Sequence, residues 1–208
     1  MTGPTSTAAP SGPVVTAKLA STSDELMQCF MLRAAVYMGE QHCPYWEEFD
    51  GNDYSASHIM FYVDGEPAAC LRLRWFSSFV KLERGAILKR YRSNGLFHFM
   101  LGWAKEFARK KGYPKAYGHS QHRLWGFMER DGFRKVDDKV FHFSDHEYGA
   151  FVCDLDVDEK TCPTVFTDPM VLNRPEDQLD QQGILEKSAE RVPTNPHTEW
   201  TKPRIQAH

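Results

Sequence analysis

Apolar and polar residues alternate from Pro67 to Phe76, where Leu71, Leu73 and Trp75 interleave with Arg72 and Arg74. A period of two places alternate side chains on opposite faces of a strand. His58–Val63 precedes this strand across Asp64-Gly65, a hairpin signal. Val14–Leu19, Phe79–Leu88, Lys115–His119, Phe133–Phe143 and Gly149–Leu155 are also predicted as strands. The period becomes helical from about residue 24 to 38, with Ser23 or Asp24 as cap and Leu26, Phe30, Met31 and Ala34 on one face. It does so again after Gly95, where Leu96, Met100, Trp103, Ala104 and Phe107 recur, Ser93 or Asn94 can cap the start, and Lys110, Lys111 and Gly112 suit the end. A brief helix over His122–Arg130 stops at Asp131-Gly132. The order βα, ββ, βα, βα, ββ predicts an α+β (mixed α/β) chain, a mixed sheet flanked by helices.

Composition limits the rest. The 208 residues suffice for one domain with a substantial core plus tails. Residues 1–13 lack large apolar side chains and are expected to be disordered, 14–155 form the domain, and 156–208 are a Pro-rich polar extension. That extension either packs along the domain or is partly disordered, with modest helical character over Glu176–Arg191 broken at Gly183. The net charge of −3 and pI near 6.3 give no global attraction for nucleic acid. Five cysteines without C-x-x-C spacing argue against a disulfide framework and a structural zinc site, and so for a reducing compartment. No basic-then-apolar leader and no apolar run of ~20 residues is present, so a cytoplasmic protein without membrane contact is expected. His119-x-x-His122 and His142-x-x-Asp145-His146 lack further ligands in a recognised spacing, and no metal is expected.

The chemistry concentrates in Lys81–Gly112, which passes from strand through the basic loop Lys89–Gly95 into the helix. A helix start exposes unpaired N–H groups and the positive end of the peptide dipoles, so Arg92, Ser93, Asn94, Gly95 and Leu96 form a candidate phosphate cradle. Upstream, Glu40–Asp53 is an acidic, aromatic loop interrupted by Pro44 and Gly51, the composition of a functional rim. Trp75, Trp103 and Trp125 read first as core and second as pocket walls.

The R-x-x-G-x spacing of Arg92, Gly95 and Leu96 resembles the acyl-CoA pyrophosphate loop of the GNAT superfamily of N-acetyltransferases, and the element order is that superfamily's. Arg33, Val36, Glu40, Gln41, Cys43, Pro44, Tyr45, Asp50, Gly51 and Asp53 further resemble the signature of its ElaA-like subgroup, with one extra residue before Asp50. Gln121, Phe127 and Gly132-Phe133 resemble the segment after the family's fifth strand. The resemblance covers roughly residues 14–155. It implies a mostly antiparallel twisted sheet and acetyl transfer from acetyl-CoA to a primary amine of a small molecule or peptide. It also implies that Ile87 and Leu88 pair with the pantetheine and polarise the thioester, with Gln121 on the donor side.

Acyl transfer needs a base for the amine and an acid for the sulfur. Glu83 is the first candidate base, with a salt bridge to Lys81 or Arg84 as its structural reading, and His119 and His122 are further candidates. Glu40, Tyr45, Glu47 and Arg72 are candidate acceptor-binding residues, and the rim acids point to a cationic amine or form a solvated loop. Two departures stand out. Phe97 occupies a position where the family has Gly or Ala, and Met128 stands where many members have a proton-donating Tyr. These departures, with Asp50–Tyr54, Arg72–Arg74 and Glu83-Arg84, keep two alternatives open: an acyl-homoserine-lactone-synthase-like enzyme using acyl carrier protein, and a degenerate, non-catalytic ligand-binding domain. Members of this fold often pair through sheet edges or helices, so a homodimer is also open.

Overall fold

The computed structural model describes residues 12–143, 145–158 and 160–192. Residues 1–11 of the tail expected to be disordered, and residues 193–208 of the extension, lie outside them. Alternating sequence becomes one seven-stranded sheet: β1 Val15–Leu19, β2 Ser57–Val63, β3 Glu66–Trp75, β4 Val80–Ile87, β5 Lys115–Gln121, β6 Arg134–Phe143 and β7 His146–Asp154. The spatial order is β1-β2-β3-β4-β5-β7-β6, and every neighbouring pair is antiparallel except β4 and β5. The expected mixed, mostly antiparallel sheet flanked by helices is the one observed.

The alternation in β2 and β3 sorts the two faces. Ile59, Phe61, Leu71 and Leu73 join the larger core with Met100, Leu101, Ala104 and Phe107 of α3, Leu96–Lys110. Trp75, Trp103 and Trp125 pack partly buried against this core. Met60, Cys70 and Ala86 turn to the other face and meet Cys29 and Leu32 of α1, Ser23–Arg33. Each fully buried Leu, Ile, Phe or Met side chain among these contributes about 1.5–3 kcal/mol. The five cysteines are free thiols.

Helix α1 starts one residue earlier than expected. Thr22 caps it, with Glu25 closing a capping box. Its buried face is Cys29, Leu32 and Arg33, continued by Val36, whereas Met31 is 66% exposed. Of the expected face, Leu26, Phe30 and Ala34 are half-buried and Met31 turns to solvent, while Arg33 is drawn inward by carboxylates and the helix widens into a π-helix over Ala34–Glu40. The following loop carries the single-turn α2, Tyr45–Glu48. The brief helix after β5 is a 3-10 turn at His122–Leu124 leading into α4, Trp125–Arg130.

The chain divides into two units, residues 1–162 and 163–208. The second holds α5, Pro169–Leu172, capped by Asp168, and α6, Ile184–Ala189. Arg174 holds that unit's turns together through Glu186 at 2.6 and 3.0 Å and the Leu179 carbonyl at 2.7 Å. Among the described residues no helix is long and apolar enough to cross a membrane.

Candidate active site

The site begins where two strands part. β4 and β5 are paired only through Val80–Ala116, Lys81–Tyr117 and Leu82–Gly118, although both strands continue beyond. At the last pair a Cβ on residue 118 would lie 3.1 Å from the Leu82 carbonyl oxygen, so glycine permits the approach from which the strands diverge. Two residues further, β4 bulges. Cys70 faces Ala86 and Arg72 faces Glu83, so Arg84 and Gly85 together oppose Leu71, and Arg84 adopts a left-handed φ of 51°. Leu88 N–H donates to the Ala68 carbonyl of β3, and the antiparallel alternation then turns Ile87 and Gly85 toward the gap. Their carbonyls accept from Arg92 Nε at 2.9 Å and Tyr37 Oη at 2.7 Å.

Two cavities meet in this gap. One, of about 570 Å³, is lined by Ile87, Arg92, Ser93, Asn94, Gly95 and Leu96, with Phe127 and Arg130 opposite. The other, of about 420 Å³, lies between the diverging strands and is lined by Arg74, Lys81, Glu83, Arg84, His119, Gln121, Met128 and aromatic residues of β6 and β7. Gln41, Gly85, Phe97, Arg123 and Leu124 border both.

On the loop side, Gly95 has a φ of 85° and caps α3 without a side chain, while Asn94 Oδ1 accepts from Leu96 N–H at 3.3 Å. Open space surrounds the point where a Cβ on Gly95 would stand. Phe97 packs against the core and edge-on to Phe127 at 6.0 Å. Arg92 Nη2 also contacts Glu40 at 2.8 Å. These residues fit an anionic, pyrophosphate-bearing ligand at a 15-residue helix's N-terminus.

Beside the second cavity lies a buried ion network. The fully buried Arg33 joins Glu48 and Asp53, and the fully buried Arg72 reaches Asp50 at 2.7 and 2.8 Å, Asp53 at 2.8 Å and Glu83 at 2.7 and 2.9 Å. Burial alone would raise the Asp50 carboxyl, but its hydrogen bonds from Arg72 hold it well below the usual range. Burial does raise Glu48, in spite of Arg33.

Several expected site residues therefore stand elsewhere. Arg72 holds the rim loop to the sheet from inside, out of a substrate's reach, and the Leu88 amide is engaged by β3. Glu40 pairs with Arg92, while exposed Tyr45 packs edge-on against Trp46 on α2. Glu47 offers its backbone carbonyl to Arg84 and borders neither cavity. Glu83 lines the second cavity, with Oε1 held by Arg72 and Oε2 by Lys81 at 2.7 Å. His119 lines the same cavity with Nε2 2.9 Å from Tyr117 Oη; the residue is exposed to solvent, yet the protein packed around its ring displaces enough water, with Lys81 adding to this, to lower its pKa to about 4. His122 packs against Trp125 with the rings tilted at 59° and their centres 4.5 Å apart, and it borders neither cavity. Gln121, expected on the donor side, lines the second cavity and not the first, and its Nε2 donates to Tyr148 Oη at 3.0 Å. Tyr148 was missed because it sits on the last strand, and nothing in its local sequence points across β5. Glu48 and His58, both buried, were missed because charged residues in the sequence read as exposed.

Comparison with known proteins bears on the family and the fold. Uncharacterized N-acetyltransferase YjcF of Bacillus subtilis (strain 168) is 28% identical over 125 residues, 60% of this chain and 89% of YjcF. The crystal structure of Escherichia coli ElaA superposes with a TM-score of 0.61 at 21% identity, over 67% of this chain and 99% of ElaA. A GNAT family acetyltransferase from Elizabethkingia anophelis with acetyl-CoA bound superposes at 0.53 and 13% identity, over 68% and 98%. Residues 20–133, which include β2–β5, the bulge, the loop and α3, match the Acetyltransferase (GNAT) family, and the chain belongs to that family.

Proposed function

We propose that the protein transfers an acetyl group from acetyl-CoA to a primary amine of a small molecule or peptide by direct attack, within the ElaA-like branch of its family. The parting of β4 and β5 into two communicating cavities carries this reading, since it gives donor and acceptor separate entrances to one point. Acetyl-CoA brings the thioester, whose carbonyl carbon gains a bond to the amine nitrogen as its bond to sulfur breaks. Arg92, Ser93, Asn94, Gly95 and the start of α3 hold its phosphates, and the gap-facing backbone of Gly85 and Ile87 aligns the reacting end. That alignment requires Arg92 to leave the Ile87 carbonyl.

His119 accepts the proton that the amine loses. It is neutral at pH 7, whereas both oxygens of Glu83 are held by cations. Met128 has no proton to give, and Tyr148 returns one to the sulfur. Its oxygen accepts from Gln121, which leaves its own O–H free to donate.

Thiol release from acetyl-CoA in the presence of an amine panel, with mass spectrometry of the amine, tests the proposal. Amine-dependent release with a matching acetylated product is expected. Acylation only from acyl carrier protein would support the synthase-like alternative instead. Release that is independent of amine would also overturn the reading.

A further inference from the structure

We infer that the acceptor amine carries a carboxylate, an inference that rests on the acetyltransferase reading above. Four cationic side chains line the acceptor-side cavity, Arg74, Lys81, Arg84 and Arg123, against two carboxylates, Asp50 and Glu83. The carboxylates are saturated. Arg72 grips both oxygens of Asp50, Arg84 adds a contact at 3.2 Å, and Glu83 is held by Arg72 and Lys81.

Of the cations, Lys81 is paired with Glu83 and Arg84 with Asp50, but Arg74 and Arg123 keep donors to spare. The Arg74 guanidinium makes no side-chain hydrogen bond among the described residues; it lies over the Phe76 ring at 5.2 Å, which leaves its N–H edge available, and its nearest acid, Glu83, is 3.9 Å away. Arg123 uses only Nε, donating to Gln121 Oε1 at 2.7 Å, which leaves its terminal nitrogens available. A guanidinium presents paired donors that match a carboxylate, and in a partly desolvated cavity such charge-assisted bonds are strong. A simple cationic amine would meet an excess of positive charge here. The rim acids expected to attract one do not line the cavity: Glu40 is taken by Arg92, and Glu47 lies outside.

The same positive field favours the uncharged form of the amine, the form that attacks. A carboxylate elsewhere in the acceptor offsets the excess charge. Phe141, Phe143 and Tyr148 form an apolar wall, and about 420 Å³ accommodates a molecule of amino-acid size. The acceptor class is thus an amino acid or a short peptide with its carboxylate near the amine.

The experiment supplies saturating acetyl-CoA and compares kcat/KM for a panel of α-amino acids with their amides, decarboxylated amines and aminophosphonates. The acids are expected to exceed their amides and decarboxylated amines by roughly ten- to a hundredfold, the factor for one charge-assisted hydrogen-bonded pair. Arg74→Gln should bring this ratio close to one, and Arg74→Lys should restore part of it. Melting curves check that both variants fold. Equal turnover of amides, a ratio unmoved by Arg74→Gln, preference for phosphonates or no turnover of any acid would each overturn the inference. Calorimetry with acetyl-CoA alone separates these outcomes from failure of the parent reading, in which the donor itself does not bind.

Discussion

His119 sets the pH behaviour of the proposed chemistry. Its ring is an imidazolium only below about 4, because partial desolvation in the cavity wall and then Lys81 disfavour the charged form, although the residue is exposed. A base of this kind is present above that pH and is lost as pH falls through about 4. The kcat/KM profile should therefore show no inflection near 6.5 from this ring, with any rise at alkaline pH belonging to the amine. His119→Ala should lower kcat/KM by roughly 10²–10⁴-fold across the plateau, the usual contribution of a positioned base. A wild-type limb at about 6.5, the unperturbed histidine value, or an unaffected variant would contradict the assignment. The sequence offered His119 as a candidate base at the end of the expected strand Lys115–His119, but its pKa depends on desolvation in the cavity wall and on Lys81 of another strand, which no local pattern records.

At the scale of elements, the acidic loop is held to the sheet by ions. Arg33 of α1, Glu48 of α2, Asp50 and Asp53 of the loop, and Arg72 and Glu83 of β3 and β4 form one connected cluster. The spacing of Arg33, Asp50 and Asp53 was legible as a signature, yet its part in burying charge was not, because Arg72 and Glu83 lie far along the chain. Removing one partner from such a cluster leaves uncompensated charge. Arg72→Met should destabilise the fold by about 3–5 kcal/mol, seen as a melting temperature lower by roughly 10 °C. A change within about 1 kcal/mol would mean that the cluster behaves like a solvated surface pair. The bulge at Arg84 and the π-helix over Ala34–Glu40 were not legible either, since each is a one-residue accommodation set by neighbouring elements.

Across the whole molecule, the strand order creates the site. β4 and β5 are the one parallel pair of the sheet, and their divergence after Leu82 and Gly118 opens the space between the two cavities. Most of this architecture was readable, because alternation in β3 and helical periodicity in α3 follow directly from which face each residue buries. The position of Arg92 at the mouth of the gap was readable from its loop. Its engagement with Glu40 and the Ile87 carbonyl was not, because both contacts depend on tertiary placement. The central claim is that this gap binds acetyl-CoA through the Arg92–Leu96 loop and α3. Titration calorimetry of acetyl-CoA into the full chain, with wild type beside Arg92→Ala, tests it most directly. The account predicts micromolar binding in the wild type, a free energy on the order of −8 kcal/mol, weakened at least about tenfold in the variant. No binding to the folded wild type, or equal binding to both proteins, would contradict it.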